Sequence, residues 1–244
     1  MISIRGVLVD VSRMGASVMS EAHLENPLIA VMGDLVASEE AESRQELHRD
    51  FNAAVDTINI KYNKQLRSPL TITLGDEFQG LAADFPSAFD IAHDMRLTLL
   101  KQDIFCRFVV GQVDLQTPVN PDRAWNMMAD GLAEARARLE DKADPNAYRF
   151  SFLEDQRCAP LLEVIGAAMT DIEESWTSTQ RAYLISRVLD GESVKDIAAR
   201  HNVSARTVYN VLGLAGFSLY DRQLQAIRSF LKGEGGGAPE RQGL

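Results

Sequence analysis

Asp34, Asp76 and Glu77 are the residues of this sequence whose types and spacing could do chemistry. Each aspartate follows a glycine where an apolar run ends: Leu28-Ile-Ala-Val-Met-Gly33-Asp34, and Leu70-Thr-Ile-Thr-Leu-Gly75-Asp76-Glu77. If the two runs are neighbouring strands, three carboxylates converge on one spot. Like charges about 4 Å apart repel by roughly 4 kcal/mol at an effective dielectric near 20. Such a cluster calls for a cation or for a raised pKa. Oxygen-only ligands suit a hard cation, Mg²⁺ or Mn²⁺, completed by substrate phosphates. The plainer reading is two ordinary turns, since Gly-Asp is common turn chemistry.

The elements that must hold these residues follow from periodicity. Leu70, Ile72 and Leu74 alternate with Thr71 and Thr73, the pattern of a half-buried strand. Gly75-Asp76 then turns the chain, and Phe78 and Leu81 begin a second strand, so the acids sit at a hairpin tip. The run Leu28–Ser38, rich in Ile and Val, reads as a buried central strand. Between them Leu47, Phe51, Val55, Ile58 and Tyr62 recur at spacings of three and four, an amphipathic helix over Gln45–Leu66 with Ser38 and Ser43 as cap candidates. A second helix is expected over Pro86–Leu100 and a strand over Ile104–Val113. One helix or two follow over Trp125–Leu139, broken near Gly131, with a short strand at Arg149–Leu153. The sum is an α+β fold, a ferredoxin-like antiparallel sheet with helices.

Beyond it, Pro160–Glu174 reads as a connecting helix whose wide apolar stripe predicts burial between two modules or in a homodimer. Thr177-Ser-Thr-Gln180 is a capping box opening a helix through Val188. Ser193 caps a helix over Val194–His201, Ser204 caps a third through Leu214, and Leu219–Leu231 adds a closing helix. Ile197-Ala198-x-x-x-Asn202-Val203-Ser204-x-x-Thr207-Val208 resembles the helix-turn-helix of bacterial regulators and of sigma-factor region four. That resemblance implies an all-α DNA-binding domain over residues 177–232, with Ser204, Ala205, Arg206, Thr207 and Asn210 facing DNA. A protein-binding helical module is the plainer alternative.

A wider resemblance rests on Gly33-Asp34-Leu-Val-Ala-Ser38, Arg44 and Leu74-Gly75-Asp76-Glu77-Phe78-Gln79-Gly80-Leu81. These resemble the SatD family and, more distantly, the catalytic domains of class III nucleotidyl cyclases and diguanylate cyclases. The resemblance spans about residues 28–154. It implies a cyclase-like fold with Asp34 and Asp76 as metal ligands and catalytic acids, and Glu77 as an auxiliary acid. It also implies Ser38, Arg44, Arg136 and Arg138 as nucleotide or phosphate contacts, although the three arginines could simply be solvated. The Asn-x-x-x-Arg pair of the class III enzymes has no aligned Asn here, and Leu74 replaces the first glycine of the diguanylate cyclase signature.

Composition bounds the rest. The chain has 244 residues and a formal net charge of −10, which argues against a protein that coats nucleic acid along its whole surface. Charge is uneven: residues 1–176 hold 16 Lys and Arg against 29 Asp and Glu, and residues 177–232 hold 8 against 4. Cys106 and Cys158 lack metal-ligand spacing and read as reduced thiols of a cytoplasmic protein. No run reaches the ~18 apolar residues of a membrane span. Residues 1–25 read as an extension, with Met19 a plausible true start; 26–155 as the cyclase-like domain, 156–176 as the connector and 233–244 as a disordered tail.

Two functions fit. In the first, a cyclase-like, metal- and nucleotide-binding domain controls a helix-turn-helix in a cytoplasmic DNA-binding regulator. In the second, the protein is an active nucleotidyl cyclase or nucleotidyltransferase using two-metal phosphoryl transfer. The missing Asn-x-x-x-Arg pair favours the first.

Overall fold

An eight-residue apolar strand, β1 (Leu28–Leu35), lies at the centre of the sheet because both its faces are covered: Ile29 to Met32 are all buried. The computed structural model describes residues 28–37, 43–153 and 157–234; the expected extension over 1–25, Ser38 and the last ten residues of the expected tail lie outside these. After β1 come α1 (Arg44–Lys61), β2 (Leu66–Leu74), β3 (Glu77–Ala82), α2 (Phe85–Leu100) and β4 (Cys106–Leu115). The strand order β2-β3-β1-β4 is antiparallel throughout, and this βαββαβ path is the expected one.

Beyond β4 the order is β5 (Ala129–Asp130), α3 (Leu132–Glu140), β6 (Tyr148–Ser151), α4 (Ala159–Ser175), α5 (Ser178–Val188), α6 (Val194–Arg200), α7 (Ala205–Leu214) and α8 (Phe217–Glu234). One strand departs from the all-antiparallel expectation: β6 pairs parallel to β4, Phe108 opposite Tyr148. It arrives after the crossover through α3, and such a connection permits parallel pairing.

Element bounds shift for local reasons. α1 stops at Lys61, and β2 begins at Leu66 rather than Leu70. It accommodates Pro69 because β2 is the edge strand. The segment expected to be helical from Trp125 is irregular up to β5. It is held against the sheet by Gln79 Nε2 donating to the Ala124 carbonyl, and by the Ala124 N–H donating to Thr71 Oγ1 at 3.0 Å. Gly131, at φ +88°, then starts α3, and a Cβ there would stand 2.4 Å from the Gln112 carbonyl oxygen. α8 runs to Glu234, three residues past its expected end.

The five helices after β6 include the capping boxes read from Thr177/Gln180 and Ser193/Asp196. α8 places Tyr220, Leu224, Ile227 and Leu231 on one stripe, all nearly fully buried. They join the core that contains Phe89 and Met95 of α2 and Met169 of α4. At the junction is a buried polar network. Arg96 of α2 donates from Nε to Glu173 of α4 and from Nη1 to the Cys106 carbonyl of β4 at 2.7 Å. Glu173 Oε1 also accepts from Tyr148 and Tyr220, each at 2.7 Å, and Tyr220 meets His93 Nε2 at 2.9 Å. His93 is fully buried because α8 closes over the face of α2 that carries it.

Burial opposes the charge on Arg96, but the Glu173 carboxylate beside it more than compensates and raises its pKa. Glu173→Gln should therefore destabilise the protein by about 3–5 kcal/mol, leaving the guanidinium's charge largely uncompensated. Denaturant unfolding followed by fluorescence and by far-UV circular dichroism should give one coincident transition in the wild type, because sheet and C-terminal helices share one core. Two separated transitions would contradict that.

Candidate functional site

The two Gly-Asp steps are both present for steric reasons, and the reasons differ. Gly75 takes φ +62° as the first residue of the two-residue β2–β3 turn. Gly33 lies opposite Phe78 in the β1–β3 register, and a Cβ on it would come within 2.3 Å of the Phe78 ring. That bare backbone lets Phe78 cross β1 and meet Phe108 edge-on, ring centroids 6.0 Å apart.

The register then brings the acids together. Asp34 pairs with Glu77 of β3 on one side and with Arg107 of β4 on the other. The Leu35 N–H donates to the Asp76 carbonyl at 3.0 Å, tying the hairpin tip to the end of β1. Asp34 Oδ2 is 3.5 Å from Arg107 Nε, with both side chains largely buried. Glu77 Oε2 accepts from Arg136 of α3 at 3.1 Å, and Arg136 also reaches Gln79. Burial is the largest influence on Asp34 and raises its pKa; Arg107 pulls it back, Asp76 and Glu77 push it up, and Lys142 lowers it.

Of the other expected phosphate contacts, Arg44 stands exposed at the start of α1. Arg138 turns away from the acids and donates to Glu163 of α4 at 2.8 Å, joining two helices. Ser204, Ala205, Arg206, Thr207 and Asn210 are all exposed on α7, while Val208 and Leu212 of the same helix are buried. Ser204 caps α7, accepting from the Thr207 N–H at 3.1 Å. Asn202, at φ +52°, makes the turn from α6.

Arg107 and Lys142 belong to the site although their types alone did not point to it. The sequence does carry a signal for Arg107: it is the one charge inside the apolar opening of β4, Cys-Arg-Phe-Val-Val. Its Nη1 is buried with no hydrogen-bond partner among the described residues. A buried donor of this kind wants an anionic acceptor.

The residues fit a hard divalent cation only in a particular way. Among the described residues no three Asp, Glu, His or Cys side chains form a metal cage. Asp34 and Asp76 can supply two carboxylates, and the other oxygens would come from water and a ligand's phosphates. Arg107, Arg136 and Lys142 around them make the spot suited to a phosphate as well as to a cation.

The sequence profile of the SatD family matches residues 28–231. No curated protein matches the chain. Among solved structures, a bacterial light-regulated adenylyl cyclase is similar at 17% identity and TM-score 0.35, over 50% of this chain and 42% of that one. The adenylyl cyclase CyaB from P. aeruginosa is similar at 15% identity and TM-score 0.32, over 46% of this chain and 70% of its own. The guanylate cyclase domain of RhGC from Catenaria anguillulae, in complex with GTP, is similar at 14% identity and TM-score 0.34, over 46% and 71%.

The raised pKa of Asp34 gives a signed test. The folded state holds its proton more tightly than the unfolded chain, so the stability this confers is complete below pH 3.8 and is lost as pH rises through the folded value. Asp34→Asn removes that loss. Its stability relative to wild type should climb across that window and then level off, in urea midpoints taken from about pH 3 to pH 7. A difference that falls with pH would mean the Arg107 pairing outweighs burial.

Proposed function

We propose, for a chain that belongs to the SatD family, that the Asp34 end of the sheet binds a nucleoside polyphosphate with Mg²⁺ or Mn²⁺, and that this occupancy controls duplex DNA binding by α7. The observation that carries the reading is the two-sidedness of α7. Arg206, Thr207, Tyr209 and Asn210 face solvent from a helix whose Val208 and Leu212 anchor it in the core shared with the sheet. Four polar or aromatic side chains on one exposed helix face suit phosphate and base-edge contacts. The local excess of Lys and Arg over residues 177–232 favours an anionic partner, whereas the acidic remainder limits contact to that module. The protein would act as a homodimer in the cytoplasm, matching two half-sites.

A second reading, nucleotidyl cyclase or nucleotidyltransferase activity, is favoured by the meeting of Asp34, Glu77 and Arg136 at one end of the sheet. A bound cation there would supply charge neutralisation for a triphosphate. Asp34 and Asp76 would hold it, Glu77 would serve as an auxiliary acid, and Arg136 would steady charge on the transferred group.

The test uses the full chain and labelled duplex fragments. Binding should weaken steeply as salt rises, through release of condensed counterions. Arg206→Ala should cost about 1–3 kcal/mol and relax preference at one base pair if the side chain reads a base edge. Mn²⁺ with a nucleoside triphosphate should shift the affinity of wild type and leave Asp76→Asn unchanged. The absence of salt-sensitive binding would remove the regulator reading. New products in the same incubations, lost in Asp34→Asn, would establish the second.

A further inference from the structure

A cavity of about 300 Å³ opens where the end of α2 meets α5 and the end of α6. It lies apart from Asp34 and from the exposed face of α7, and neither reading above uses it. Leu100 and Ile185 give it an apolar surface with the exposed Ala182 at its edge, and Lys101, Arg181 and Arg200 stand around it together with the acids Asp103 and Asp190. Ser178 lines it from the first turn of α5, so the positive end of that helix is at the rim.

Each of these cations has an acid beside it, and Arg200 is paired with the largely buried Glu192 as well as donating to Ser186 Oγ at 3.3 Å. Arg181 Nη1 is paired with Asp103, whose side chain is 81% exposed. Lys101 is 3.1 Å from Asp190, also open to solvent. The Lys101–Asp190 pair, open to solvent on both sides, is weak, so an incoming anion competes with it readily. Arg181 itself is largely buried, and its Nε has no hydrogen-bond partner among the described residues.

We propose that this cavity binds a small phosphate-bearing molecule, its dianion held by Lys101, Arg181 and Arg200 and its carbon body resting on the apolar surface. Because Lys101 follows α2 and Arg200 ends α6, the ligand would fasten the end of α2 to α6, the helix that precedes α7. The site is thus an effector site, independent of any chemistry at Asp34.

Inorganic phosphate is the probe, titrated at constant ionic strength against chloride. It should raise the Tm of the wild type by roughly 3–6 °C once it reaches tenfold its Kd. Ser178→Asp is the decisive variant: Ser178 is exposed, and an acid at a helix's first turn is well tolerated, so the fold should survive while the rim becomes repulsive. It should lower phosphate affinity at least tenfold. Ala182→Leu, which narrows the opening, should do the same without changing charge. Asp76→Asn should respond to phosphate as the wild type does. A wild type indifferent to phosphate, a Ser178→Asp variant that responds normally, or a response abolished by Asp76→Asn would each overturn the proposal.

Discussion

The contact between Arg96 and Glu173 is the constraint on which the rest of the molecule depends. Both groups are almost wholly removed from water, where an isolated charge is very costly, so each is tolerable only beside the other. Their remaining hydrogen-bonding capacity fixes three further elements. Arg96 holds the β4 backbone through Cys106; Glu173 holds Tyr148 of β6 and Tyr220 of α8; and Tyr220 reaches back to His93 of α2. Apolar packing could accept several positions of α8 against α2. A shared carboxylate with two phenols accepts one.

That same pair reaches toward the acidic site by a short route. Cys106 pairs with Leu35 across β1 and β4, and the next residue on each strand brings Arg107 opposite Asp34. Two backbone steps therefore separate the buried junction from the carboxylates. The C-terminal helices and the site are thus joined by a short chain of contacts although far apart in sequence.

How much of this was legible in advance depended on whether the signal was local. The Gly75-Asp76 turn, the apolar run of β1 and the caps at Thr177, Ser193 and Ser204 are written in adjacent residues, and each is found where the residues imply. Arg107 was missed because its role comes from strand register, which no single segment carries. His93 carries no local sign of its burial either, because a polar position on α2 looks solvated until α8, more than a hundred residues later, covers it. Trp125–Met128 has helical composition but is drawn to the sheet at both ends, through Ala124 before it by Gln79 and Thr71 and through Met128 by Gln116 and Thr117, a tertiary demand that overrides propensity.

The return of α8 across α2 also sets an order of events during synthesis. Until Tyr220 has emerged from the ribosome, Glu173 lacks one of its phenolic donors and His93 lacks its neighbour, and the stripe formed by Leu224, Ile227 and Leu231 has not yet covered the core. The sheet can form earlier, from contacts near in sequence, but it cannot be sealed. A growing chain therefore carries an open apolar face for the time needed to make about a quarter of its length, at roughly 5–20 residues per second. In that interval, holding by a chaperone or collapse onto a neighbouring nascent chain compete with correct closure.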